Sequence, residues 1–412
     1  MKNLLNLSSK NILSNLLTIL LATILIAMPY GIKVLPQLLS LSFLIWLISC
    51  FAPKKINGDF LQDKTIYLLP AYALISTLTL LWSTETMEGA KVLERMISFV
   101  IMPFLFVTHS RRIKVSINTV YTLLGISILI ATLVLIWEFH SKIGIEKINV
   151  VETPFEKLRY IRYYIMLEGL AIHPSYLSYL AIIYLSFSLF QKGKSASIHI
   201  LFSVFAIVLI LVLYSRGALL TLLFLIAYGL FKQLYLKRYA LFAIIAFIGL
   251  ASLFVSYKYT RLGDTIRGIS SENSVQTEDA RITVWRNSFQ LIKEKPLFGY
   301  GIGDAIHVII DKHEETGFEM GVEKRLDAHN QFLEVWLQAG LLGLIPLLLV
   351  FAFPLFQSIK FKQEYLFLFL IISIIQHMFE SMFVRLAGVV YFGFFYCYLY
   401  LVYYKGNREI EI

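Results

Sequence analysis

The sequence predicts an all-α polytopic membrane protein, with about twelve transmembrane helices and a large, partly helical extracytoplasmic loop between spans 9 and 10. Three observations predict it: the composition, the spacing of apolar runs, and the placement of lysine and arginine. Residues are 58% hydrophobic and 16% charged, with a mean hydropathy of +0.71, whereas charged residues approach a quarter of a soluble domain. The net charge of +10 is spread over short segments between apolar runs, as topology-setting charges are, and this excludes nucleic acid as a partner and leaves the lipid bilayer as the obligatory one.

Apolar windows long enough to cross about 30 Å of hydrocarbon fall at 12–30, 34–52, 66–83, 92–108, 117–138, 171–190, 197–214, 217–231, 239–257, 331–356, 364–380 and 388–404. The first follows Lys2 and Lys10 with no small-residue cleavage site after it, so it reads as an uncleaved span. Cys50 and Cys397 lie inside apolar segments without a CxxC or a nearby histidine and read as small buried side chains. The chain thus divides into residues 1–257, carrying nine spans and an outer loop near 139–170; a loop region, 258–330; and residues 331–412, carrying three spans and a short tail. With the N-terminus in the cytoplasm, the short inner loops collect most of the basic residues. The short outer loops hold only Lys33, Lys91, Arg216 and Arg385. Both termini are then cytoplasmic and both long loops are outside.

Ionisable groups near the bilayer centre are costly, so their depth is informative. Arg95, Glu168, His173, Arg216, His329, Glu334, Glu380 and Arg385 are expected at or just inside the outer helix ends, either snorkelling to the interface or forming a polar site there. Tyr214-Ser215-Arg216-Gly217-Ala218 interrupts one apolar run. Arg216 at that corner either pairs with an anion, carboxylate or phosphate, or only marks the turn. His173-Pro174-Ser175-Tyr176 opens the sixth span. Proline suits a first helical turn, so His173 falls in the N-cap region, as a cap or as a functional group.

In the long outer loop, Ile282, Trp285, Phe289 and Ile292 recur at helical spacing, which predicts a short amphipathic helix packing on the bundle or dipping into the membrane interface. Arg281 and Arg286 flank that stripe and suit either lipid headgroups or a substrate phosphate. Lys295-Pro296-Leu297-Phe298-Gly299-Tyr300-Gly301-Ile302-Gly303-Asp304 lacks the Lys-Ser/Thr ending of a nucleotide loop and reads as a tight turn that its glycines permit. Asp327-Ala328-His329-Asn330-Gln331-Phe332-Leu333-Glu334 enters the tenth span, with Asp327 upstream as a candidate cap. His329 at a helix start is expected to be neutral and able to take a proton.

The order of these motifs, a Ser-Arg-Gly-Ala corner, Arg281-x-x-x-Trp285, Pro-Leu-Phe-Gly-Tyr-Gly-x-Gly, then His-Asn-x-Phe-Leu, resembles the O-antigen ligase and O-antigen polymerase superfamily. The resemblance is clearest from Pro174 to Leu344. It implies a membrane-embedded glycosyltransferase of the bacterial cytoplasmic membrane, with its site on the outer face. The implied donor is a polyprenyl-diphosphate-linked glycan, and neither a metal nor another cofactor is needed. By the same resemblance His329 is the catalytic base and Arg216 and Arg281 bind the donor diphosphate. Arg286 is a further candidate, and which loop arginine dominates stays open. His173, Tyr176, Asn330, Glu334 and Arg385 are candidate acceptor-binding or supporting residues.

Attack opposite the leaving diphosphate predicts inversion at the anomeric carbon. The acceptor is either a glycolipid such as lipopolysaccharide core, making the enzyme a ligase, or a further lipid-linked repeat, making it a polymerase. A transporter of anionic lipid or polysaccharide is the alternative of another class. It predicts mid-membrane charges and repeated halves, neither of which the sequence displays.

Overall fold

The computed structural model describes residues 12–30, 34–50, 64–109, 115–149, 173–188, 196–213, 215–235 and 272–404. All elements among them are helical. They are α1 (Ile12–Ala27), α2 (Leu35–Cys50), α3 (Leu68–Leu78), α4 (Thr86–Met96), α5 (Ser98–His109), α6 (Ile117–Asn149), α7 (Pro174–Ser188), α8 (Ala196–Leu213), α9 (Arg216–Tyr235), α10 (Glu272–Glu294), α11 (Ala305–Glu315), α12 (Glu319–Glu323), α13 (Gln331–Lys360), α14 (Glu364–Phe379) and α15 (Leu386–Cys397). Short 3₁₀ turns at Thr79–Trp82 and Met382–Val384 join α3 to α4 and α14 to α15. The expected span 239–257 and the residue Glu168 lie outside the described residues.

Among the described residues, Ile117–Trp137 and Gln331–Lys360 can cross a membrane by length and composition, while six further apolar segments are 10–17 residues long. The sequence-predicted span 92–108 straddles two helices, because α4 is polar and amphipathic and gives way to the apolar α5 at Ile97. Glu88 in the first turn of α4 and Arg95 in its last complement the helix dipole. The outer loop expected from residue 139 begins later, since α6 runs on to Asn149.

The chain forms two compact units, one of Met1–Ser127 with Val284–Ile412 and the other of Ile128–Thr283. In the first, α13 packs along α3 and α14, and α15 along α5. An aromatic cluster fills the space between them. Phe383 sits 4.8 Å from Phe99 and 5.1 Å from Phe392, centroid to centroid. His377 lies inside this cluster, 4.6 Å from Phe383, and its Nδ1–H donates to Ser373 O at 2.6 Å. It is a core histidine. In the second unit α7 is buried along almost its whole length, from Pro174 to Phe187, against α8 and α9.

One irregularity organises the first unit. Gly340, at φ 60° and ψ −157°, breaks α13. A break in a helix strands carbonyls before it and N–H groups after it. Here segment 296–301 takes up both sets. Tyr300 and Gly301 donate to Leu337 O and Gln338 O at 2.8 and 2.9 Å, and Leu341 and Leu342 donate to Pro296 O and Leu297 O at 2.9 and 3.2 Å. The glycine-rich segment turns at 296–298 and 302–304, as expected, with Gly299 and Gly301 at φ 68° and 99°, and it also serves as a strap across the broken helix. Backbones this close leave no room for side chains: a Cβ on Gly299 would lie 2.5 Å from Leu337 O, and one on Gly340 2.2 Å from the Leu297 carbonyl.

Candidate active site

The strap is anchored at its other end by Asp304. Its carboxylate accepts the N–H groups of Thr84 and Glu85 at 2.9 and 2.7 Å and the Thr84 hydroxyl at 3.1 Å. Partial burial works to raise its pKa, but the two backbone bonds and the hydroxyl outweigh it and hold the carboxyl below its ordinary value.

From this frame the chain passes through α11 and α12 to the segment 326–330. His313, at the end of α11, is fully buried. Its Nδ1 lies 3.0 Å from the Asn287 amide and its Nε2 3.2 Å from Leu326 O. A carbonyl accepts only, so Nε2 carries the proton and Nδ1 accepts from Asn287. Burial pushes its pKa down, against the Leu326 carbonyl, which raises it. His313 thus ties α10 and α11 to the residue three before His329.

Two residues on, Ala328 N–H donates to Glu334 Oε2 at 3.1 Å, and Gln338 Nε2 donates to Glu334 Oε1 at 2.7 Å. Glu334 is 4% exposed. Each oxygen of this buried carboxyl holds a hydrogen bond, as burial of a polar group requires, and together they secure the peptide next to the histidine. Asn330 caps α13, its Oδ1 accepting from Phe332 and Leu333 N–H at 2.9 and 3.2 Å. Asn330, and not the candidate Asp327, is therefore the cap. Asp327 instead accepts the His329 N–H at 2.9 Å, in a tight loop that puts His329 at φ 44°, uncommon for a residue with a Cβ.

The His329 ring reaches across to the end of α14. Its Nδ1 is 3.5 Å from Asp327 Oδ1 and 3.5 Å from Glu380 Oε1. Glu380 is the last residue before the turn to α15, and that turn is itself held. Gln331 Oε1 accepts Phe383 N–H at 2.6 Å, and Arg95 Nη1 donates to Val384 O at 2.5 Å. A histidine between two carboxylates can accept a proton and have the resulting charge stabilised.

Of the residues singled out from sequence, His329, Asn330 and Glu334 converge here. Arg286 is exposed on α10, and Arg385, also exposed, immediately precedes α15. Four others belong to the second unit. Arg216 is the first residue of α9, after a helix break at Ser215, as the interrupted apolar run suggests. His173 Nδ1 accepts the Ser175 N–H at 3.4 Å, the capping interaction at the start of α7, and its ring lies 6.2 Å from that of the buried Tyr176. Arg281 is half-buried on α10, with one terminal guanidinium nitrogen fully covered.

The amphipathic helix exists, and of its expected stripe Ile292 is buried and Trp285 packs against the same core, while the other two stay exposed. Val284, Asn287, Ser288 and Leu291 are buried with Ile292, whereas Ile282 and Phe289 are 56% and 44% exposed. The buried Asn287 and His313 form a polar pair that an apolar count passes over. Sequence reading also passed over Glu380 as a partner of His329. Its only signal was a carboxylate at the end of an apolar span. Among the described residues, no group of three or more His, Cys, Asp or Glu is arranged to hold a metal ion.

Comparison with known proteins adds two findings. Residues 201–348 match the O-antigen ligase family, a stretch running from α8 through the loop helices to the middle of α13. An uncharacterized protein of Haemophilus influenzae is 25% identical over 410 residues, covering 93% of this chain and 97% of that protein.

Proposed function

With an O-antigen ligase family region at residues 201–348, we propose that the protein is a membrane glycosyltransferase that moves a glycan from a polyprenyl-diphosphate carrier to a sugar acceptor such as lipopolysaccharide core. The family match supports an enzyme of the ligase or polymerase type in a bacterial inner membrane. The observation that carries the finer reading is His329, held at a helix start with Nδ1 turned to Asp327 and Glu380.

In this reading the acceptor hydroxyl attacks the anomeric carbon of the donor as its proton passes to His329 Nε2. The bond from that carbon to the diphosphate oxygen breaks, and attack from the opposite side inverts the centre. Asp327 and Glu380 stabilise the imidazolium through Nδ1. The departing diphosphate gathers negative charge, for which Arg216 and the loop arginines Arg281 and Arg286 are the cationic partners. No nucleotide is called for, because the donor arrives already activated.

The test is transfer by the purified full-length protein in lipid vesicles, with a defined lipid-linked glycan and a lipopolysaccharide-core acceptor. Wild type should yield glycosylated core, and His329→Ala should lower the rate by about 10²–10⁴. Elongation of the lipid-linked glycan with no product on core would replace the ligase reading with a polymerase. Full activity in His329→Ala would remove the histidine from the chemistry.

A further inference from the structure

We infer that the membrane surface crosses this protein at the Gly340 break, and that Leu81, Leu297 and Phe298 insert into the lipid headgroup region at that level. The exposure of α13 changes character at Gly340. Before it, residues 331–339 are buried or half-buried, polar Gln331, Glu334 and Gln338 among the buried ones. After it, one face carries Leu342, Ile345, Leu349, Phe353, Phe356 and Ile359, each at least 40% exposed. A helix whose exposed side chains are all apolar over five turns is matched to hydrocarbon, and its partner segment is matched to a protein interior.

Length agrees. The segment Leu341–Lys360 rises about 30 Å, the thickness of the hydrocarbon layer, whereas the full helix from Gln331 would rise about 45 Å. Lys360 stands at the far end, over the Phe361 ring at 5.4 Å, where a lysine reaches the opposite headgroups.

The strap supplies the second, independent observation. The Leu297 carbonyl accepts the Leu342 N–H, so the strap lies at the top of the apolar stripe. It presents Leu297 and Phe298 outward, 58% and 60% exposed, and Leu81 of the neighbouring 3₁₀ turn is 82% exposed. Phe298 meets the Trp82 ring edge-on at 6.1 Å, and Trp336 donates its indole N–H to Pro296 O at 3.1 Å. Two tryptophans and a phenylalanine at one level, beside the cationic Lys295, form the aromatic and basic belt that suits a headgroup layer. These side chains continue the lipid-facing stripe, which commits them to the bilayer. The first turn of α13, from Gln331, and the loop with His329 then stand on the water side of that belt. The placement holds whatever reaction the protein catalyses.

Depth-dependent fluorescence quenching tests it. Single cysteines replace Phe298, Leu349 and Glu315 in full-length protein whose Cys50 and Cys397 have been changed to alanine. All three sites are exposed or on the lipid-facing stripe, so the labels disturb no packing. Each is labelled with bimane and reconstituted in phosphatidylcholine and phosphatidylglycerol vesicles carrying nitroxides on the headgroup or at mid-chain. The Phe298 site should lose emission mainly to the headgroup nitroxide, the Leu349 site to the mid-chain nitroxide, and the Glu315 site to neither. Phe298 quenched no more than Glu315 would put the surface further along α13. Phe298 quenched by mid-chain nitroxide as strongly as Leu349 would sink residues 331–339 into hydrocarbon. Either result overturns the inference.

Discussion

His329 and Glu380, far apart in the chain, meet with Nδ1 and Oε1 3.5 Å apart. The contact joins the start of one apolar helix to the end of another, and both ends are independently secured by Asn330, Gln331 and Arg95. In the proposed reaction Glu380 is a positioning residue whose charge acts through the histidine. Glu380→Gln should lower the turnover number by about tenfold to a hundredfold, with little change in KM, less than the loss of about 10²–10⁴ expected on removing the base itself. Steady-state transfer kinetics check it, and an effect confined to KM would assign Glu380 to acceptor binding.

Glu334 holds the adjoining peptide. Glu334→Ala leaves the Ala328 N–H and the Gln338 amide without their acceptor, at about 1–3 kcal/mol for each buried group. Glu334→Gln keeps an oxygen for one of them and should fall between. Thermal unfolding in detergent should rank wild type above Glu334→Gln above Glu334→Ala, and equal stability of the three would show that the loop is held some other way.

Gly340 should tolerate no side chain. Its φ and ψ lie in a region essentially restricted to glycine, and a Cβ there would sit 2.2 Å from the Leu297 carbonyl. Gly340→Ala is expected to cost at least about 3 kcal/mol and to free the strap. Limited proteolysis at 296–301 measures that release; wild-type resistance in the variant would contradict it.

The His313 latch is pH-sensitive with a defined sign. Burial holds the folded histidine below its ordinary pKa, with nearby His329 adding to the effect and the Leu326 carbonyl opposing it. Below about pH 6.5 the unfolded chain binds a proton that the folded chain resists. The stabilisation is thus complete above that value and declines as pH falls toward the folded pKa. Unfolding midpoints taken from pH 7.5 to 5 should decline more steeply for wild type than for His313→Gln, and parallel curves would remove His313 as the source.

Between the two loop arginines, burial separates the expectations. Arg281 is half-buried with a covered guanidinium nitrogen, and Arg286 is exposed. A cation in a sheltered site acts more strongly on developing charge than one in water. Arg281→Ala should therefore reduce transfer by roughly 10²–10³ and Arg286→Ala by far less. The reverse order would make Arg286 the donor-binding arginine.

What the sequence determined by itself is what depends on local pattern. Apolar runs announced the helices because burying a backbone in lipid requires its hydrogen bonds to be made internally. Pro174 marked the start of α7, and Ser215-Arg216 a helix break, because capping and turn chemistry act over a few residues. The order of short motifs pointed to the O-antigen ligase family for the same reason.

Only the tertiary structure decided the contacts between distant segments. It chose Asn330 over Asp327 as the cap, because the left-handed turn at His329 directs Asp327 back onto the His329 N–H. It made a glycine-rich turn serve also as a strap, since the orphaned groups at Gly340 required partners that no neighbour in sequence supplies. It brought Glu380 to His329. Helix spacing reports which face is apolar, and it cannot report which polar residues pair across helices, because pairing depends on where two chain segments meet.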